Sequence, residues 1–170
     1  MRISLIALMM LLSCNYSEKK SNNLVLLNNE QEERSYFEKI LAIGNLDSKL
    51  SKQVSDSLSI LVLPLDASCP ACRNKTIDSI MKHAGKLSDN SILILTAKAG
   101  IKNMNAFFRE RGYDSIPLDN KRIVLDSTNQ ASGLYKNNTT IYYASQQKVY
   151  KIVSSIPATI KNDLHEFFSR

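Results

Sequence analysis

Several scarcities narrow what this chain can be. Five glycines and four prolines among 170 residues, with 44% apolar and 22% charged side chains, exclude a disordered or low-complexity polymer and fit an ordinary globular fold. The net charge is +6, yet no run of lysines is longer than Lys19-Lys20. A scattered positive surface of this kind reads as solvated and not as a nucleic-acid stripe. The apolar stretch Ile3 to Leu12 is too short to cross a bilayer as a helix. There are two histidines and three cysteines. No internal repeat or second-domain pattern is present, and the length suits one domain with a real core.

What stands out against these absences is Cys69-Pro70-Ala71-Cys72. Before it lies an apolar, partly branched run, Ile60-Leu61-Val62-Leu63, of buried-strand character. After it, Ile77, Ile80, Met81, Ala84 and Leu87 recur at helical spacing. Pro70 falls in the first helical turn, where its missing N–H leaves nothing unpaired. The two cysteines therefore share the first turn, on nearly one face and within disulfide reach. The unpaired N–H groups and partial positive charge of a helix start favour thiolate over thiol. A dithiol between strand and helix points first to a redox centre.

The N-terminus carries a separate signal. Arg2, the apolar run to Leu12 and the ending Leu11-Leu12-Ser13-Cys14 follow the order of an export leader. The ending resembles a bacterial lipobox, whose cysteine is acylated after cleavage. That resemblance implies a chain anchored to a membrane of the bacterial cell envelope by lipid on Cys14, its domain facing the periplasm or the outside. It also leaves Cys69 and Cys72 as a pair, in a compartment that tolerates disulfides. The domain plan is then a leader at 1–14, a flexible tether at 15–29 and a folded domain at 30–170. The small apolar island Leu24 to Leu27 belongs to the tether in this plan.

Along the rest of the chain, Tyr36, Phe37, Ile40 and Leu41 mark a helix from Glu30 that stops near Gly44. Asn45 to Ser57 stays unassigned. A strand spans Leu58 to Leu65, a second Ser91 to Thr96, and the helix between them makes a parallel β-α-β unit. Met104, Phe107 and Phe108 mark a further helix closed by Gly112. Ile123-Val124-Leu125 is a short strand, and Asn129 to Tyr135 a short helix. Thr140 to Ala144 and Val149 to Val153 form a hairpin whose turn lacks glycine. Ile160, Leu164, Phe167 and Phe168 line the last helix.

This order of elements resembles the thioredoxin-like proteins, and more narrowly the membrane-tethered thiol–disulfide oxidoreductases of the TlpA/ResA kind within the redoxin superfamily. The resemblance runs from about Leu58 to Arg170. It rests on the strand entering Cys69-Pro70-Ala71-Cys72, the helix around Phe107, the strand Val124-Leu125-Asp126, and the hairpin opening Thr139-Thr140-Ile141-Tyr142. It implies an α/β fold with a central mixed sheet flanked by helices. It implies Cys69 as nucleophile, Cys72 as the less exposed resolving thiol of higher pKa, a protein thiol or disulfide as substrate, and an upstream electron donor. Asn138 and Thr139 are then the candidates for the substrate loop. Three departures accompany it. Asn138 stands where the family has a cis-proline, which makes a trans peptide the expectation there. Ser68 replaces the aromatic residue before the first cysteine. Leu63 occupies the place of a buried carboxylate, with Asp66 the nearest acid in sequence.

Other chemistries compete for the same residues. A closed zinc site needs four ligands, and His83, eleven residues past Cys72, lies about 16 Å along the helix axis. His165 has no ligand-like neighbour in sequence. Two thiolates alone can hold copper(I), so a copper(I) metallochaperone or a non-catalytic binding module is the alternative reading. An inert disulfide would close too short a loop to stabilise much. A peroxidase would need a threonine where Leu65 and Asp66 stand. Arg73, directly after the motif, either supports the thiolate or is simply solvated.

Overall fold

A computed structural model describes residues 23–46 and 57–170. The expectations for Cys14, the leader and residues 15–22 lie outside the described residues, as does most of the unassigned stretch after Asn45. The elements are β1 (Leu24–Leu26), α1 (Glu30–Leu41), β2 (Leu58–Pro64), α2 (Pro70–His83), β3 (Ser91–Thr96), α3 (Gly100–Glu110), β4 (Ile123–Asp126), β5 (Thr140–Ser145), β6 (Lys148–Ser154) and α4 (Ile160–Phe168). Among the described residues the strands form one mixed sheet in the order β1-β6-β5-β2-β3-β4. β2, β3 and β4 run parallel, while β5 is antiparallel to β2 and starts the β5–β6 hairpin. A β-α-β unit joined to an antiparallel hairpin and a closing helix is the thioredoxin-like α/β arrangement that the motif order implied.

The two-residue period of β2 divides the core. Leu61 and Leu63 face a cluster that includes Cys72, Ile77 and Ile80 of α2, Met104 and Phe108 of α3, and Leu164 and Phe167 of α4. Ile60 and Val62 face the other way, toward Phe37 and Ile40 of α1 with Tyr142 and Ile152. All seven residues of β2 are buried, as expected for a central strand covered on both faces. Pro64 ends the strand, so its missing N–H interrupts no ladder; pairing passes to Leu65, whose N–H donates to the Thr96 carbonyl at 2.9 Å.

Some boundaries differ from the sequence reading. The island Leu24 to Leu27, assigned to the tether, instead supplies an edge strand: β1 pairs antiparallel with β6, Leu24 opposite Val153. Three residues give too little alternation to register as a strand; only the partner β6 makes them one. The short helix read over Asn129 to Tyr135 is a 3-10 helix confined to Gln130–Gly133. The hairpin turn is settled by Gln146 and Gln147, at φ of 51° and 62°. This is the two-residue geometry usually given to Asn-Gly, here adopted without glycine. Gly44, by contrast, is required where α1 ends: φ is +57°, and an added Cβ would lie 3.0 Å from Val124 Cγ1.

Asp126 at the end of β4 is 3% exposed and ties the parallel edge together. It accepts from Thr96 Oγ1 at 2.9 Å, from the Gln130 and Ala131 N–H groups at 2.9 and 2.8 Å, and from Thr128 Oγ1 at 3.2 Å. Burial alone would raise its pKa, but these donors outweigh it and hold the carboxyl below its usual range. A depressed folded-state pKa means stability present above the unfolded value, about pH 4, and lost as pH falls through the folded one. Asp126→Ala should lower stability by about 2–3 kcal/mol, because four donors lose their acceptor. Urea denaturation checks this: the loss should shrink below pH 4, and a variant within 0.5 kcal/mol of wild type at neutral pH would remove the role (~0.5 kcal/mol being the usual scatter of surface substitutions).

Candidate active site

The dithiol sits where β2 gives way to α2. The chain turns after Pro64, with the Ser68 N–H donating to the Pro64 carbonyl at 2.9 Å, and Cys69 becomes the N-cap residue with Pro70 in the first turn. The first helical bond runs from the Arg73 N–H to the Cys69 carbonyl at 2.9 Å. Pro70 and Ala71 are exposed, Cys69 is half-buried and Cys72 is fully buried. Both cysteines are free thiols.

The two sulfurs differ in the way exchange chemistry needs. The Cys72 backbone N–H is the foremost influence on Cys69 and lowers its pKa; partial burial works against this. The Cys72 side chain, the Ala71 N–H and the Arg73 charge reinforce the lowering. Burial, foremost, and then the Cys69 side chain push the Cys72 thiol up to about 11. Asp163 on α4 adds to that rise through its charge, and Lys75 opposes it. The sequence reading missed Asp163, ninety-one positions from Cys72; only the packing of α4 on α2 brings it into play.

Arg73 is not a solvated side chain. Its guanidinium lies over the Phe107 ring at 4.4 Å and donates from Nη1 to the Leu65 carbonyl at 3.2 Å. Phe107, read from sequence only as a core residue of α3, is thus part of the rim of the dithiol. Ser68 Oγ and Arg73 Nε are buried with no hydrogen-bond partner among the described residues.

The loop at 136–139 meets the dithiol through its backbone: the Cys69 N–H donates to the Asn137 carbonyl at 3.3 Å. Every peptide here is trans, Asn138 included, as expected for a non-proline residue. Asn138 is half-buried beside this contact. Thr139 does not fit a substrate-facing role. It is wholly buried, its hydroxyl 3.1 Å from Thr76 Oγ1, and Thr76 in turn donates to the Cys72 carbonyl at 2.8 Å. Thr139 therefore backs Cys72 from within the core. A threonine four residues after Cys72 on one helix face was the available signal for this pairing.

No carboxylate takes the place that Leu63 fills; Leu63 is buried in the core, and Asp66 is exposed, accepting from the Lys98 N–H at 2.9 Å. Among the described residues no three His, Cys, Asp or Glu side chains come together as metal ligands. His165 does have a neighbour after all: its charge acts on His83, which stacks on Phe168 with centroids 5.0 Å apart.

No family model and no curated protein matches the chain in sequence. Among solved structures, a mutant of PrxQ from Xylella fastidiosa is similar over 69% of this chain and 79% of that one, at 11% identity and a TM-score of 0.43. A thioredoxin-like protein from Aeropyrum pernix is similar over 72% of this chain and 95% of that one, at 13% identity and a TM-score of 0.33.

The split between the thiols is directly testable. Iodoacetamide should label Cys69 first, with a rate-versus-pH midpoint below the free-thiol value of about 8.5. Cys72 should resist until the pH nears 11. Peptide mass spectrometry resolves the two, and a Cys69 midpoint at or above 8.5 (about the value of an unperturbed cysteine) would remove the basis for an activated nucleophile.

Proposed function

We propose that this chain is a thiol–disulfide exchanger for protein substrates, held at a bacterial cell envelope by lipid on Cys14. The observation that carries the chemistry is the asymmetric pair: an accessible, acidified Cys69 over a buried Cys72 that keeps its proton. The envelope location rests on the leader-like N-terminus alone.

In the reductive direction the Cys69 thiolate attacks one sulfur of a substrate disulfide. A Cys69–substrate disulfide forms, and the other substrate sulfur leaves as thiolate. Cys72 then attacks Cys69 Sγ. The Cys69–Cys72 bond forms, the substrate's second sulfur leaves, and it takes up the proton that Cys72 gives up. Two electrons have passed to the substrate, and an upstream dithiol donor restores the pair. The high pKa of Cys72 suppresses its attack on anything but the neighbouring mixed disulfide, where proximity offsets its low thiolate fraction. The absence of a carboxylate at Leu63 leaves the departing sulfur as proton acceptor, which favours substrates whose released thiols are basic.

Cys72→Ala should accumulate a mixed disulfide with insulin that dithiothreitol reverses, because the resolving step is gone. Cys69→Ala should form none, and both variants should lose turnover. Non-reducing electrophoresis reads the adduct; equal adduct from both variants, or none from either, sinks the proposal.

A further inference from the structure

One face of the dithiol helix carries lysines that form no ion pair among the described residues. Between α2 and α4 lies an open cleft of about 430 Å³. Lys75 and Lys82 of α2 and Lys161 of α4 line it, and all three are exposed. None forms an ion pair among the described residues. His83 and His165 also face the cleft. His83 is disfavoured in its charged form first by burial and then by Lys82, Lys86 and His165, so Lys82 and Lys86 both stand near it.

The acids of the same two helices already have partners, including Asp78, which itself lines the cleft. Asp78 is held by Arg111 at 2.7 Å and accepts from Tyr113 at 3.2 Å. Glu166 pairs with Lys151 at 2.9 Å and Arg170 at 2.8 Å. Asp163 accepts from Thr159 Oγ1 at 2.7 Å. The wall of the cleft is apolar: Leu164 is buried and Phe168, half-buried, stacks on His83.

We propose that this cleft docks an acidic segment, carrying one apolar side chain, of the protein that exchanges disulfides with Cys69. The proposal rests on the exchange reading above and names its substrate class. Position supports it. Lys75 and Lys82 are seven residues apart, about 10 Å along the axis, and Lys75 is one turn beyond Cys72. A chain lying in the cleft thus ends close to the reactive pair. Shape selects the occupant. Cations spread over about 10 Å match a run of carboxylates better than a single phosphate, and a concave, apolar-walled cleft does not suit a flat bilayer face.

The test uses the purified full chain, reduced, with three disulfide probes at low ionic strength. One is a synthetic Glu/Leu peptide bearing a mixed disulfide with mercaptoethanol, the second is its Gln-for-Glu counterpart, and the third is uncharged bis(2-hydroxyethyl) disulfide. The Glu peptide should react about tenfold faster than the Gln peptide, an advantage that fades as salt shortens the screening length. Lys82→Glu with Lys161→Glu should abolish that preference and leave the uncharged probe unchanged. Equal rates for the two peptides, or a preference that survives the double variant, overturns the proposal. So does lysine-dependent binding to phosphatidylglycerol vesicles without peptide preference, which would assign the face to a membrane. Fluorescence anisotropy of the Glu peptide on a Cys69→Ser, Cys72→Ser chain reads docking without exchange. A wild-type chain inert toward the uncharged probe therefore sinks the exchange reading, while the anisotropy still supports or overturns the docking site.

Discussion

The molecule depends on the first turn of one helix being delivered to the end of a fully buried strand. β2 is covered on both faces, so its course is fixed, and where it stops at Pro64 the chain has only five residues in which to turn and begin α2. That shortness aims the Cys72 and Ala71 N–H groups at Cys69 Sγ. The same constraint drives Cys72 into the core, because a residue three positions later on the helix faces the sheet. Acidity at one sulfur and proton retention at the other are two results of a single placement.

Around this placement stand supports supplied by residues from several elements. The loop beside the dithiol contributes a carbonyl from Asn137 and no proline. The threonine pair Thr76 and Thr139 occupies buried space behind Cys72. Arg73, clamped between Phe107 and the Leu65 carbonyl, sets a fixed positive charge near Cys69 at the cost of a buried Nε without an acceptor among the described residues.

The parts of this arrangement that local pattern determines were readable in the sequence. The apolar runs Ile60 to Leu63 and Ile92 to Leu95, with helical spacing after Pro70 between them, marked the β-α-β unit, and the family resemblance implied the order of the two sulfurs. What could not be read was whatever depends on tertiary neighbours. β1 is a strand only because β6 pairs with it. Thr139 was a substrate-loop candidate by resemblance, yet the core claims it. Asp126 was visible as a strand ending but not as the acceptor of four hydrogen bonds. His83 and His165 looked unrelated at a separation of eighty-two positions, and the packing of α4 on α2 makes them neighbours.

The direction of β1 has a geometric corollary. β1 is antiparallel to β6, β6 to β5 and β5 to β2, so β1 runs opposite to β2. Its first residues therefore stand at the sheet end from which β2 departs toward Cys69, and the polypeptide enters the fold on the reactive side. From Cys14 to residue 23 there are eight intervening positions, and even fully drawn out these cover no more than about 30 Å. For a protein fastened at Cys14, that short leash would turn the working end toward the lipid headgroups and confine its encounters to a thin layer above them.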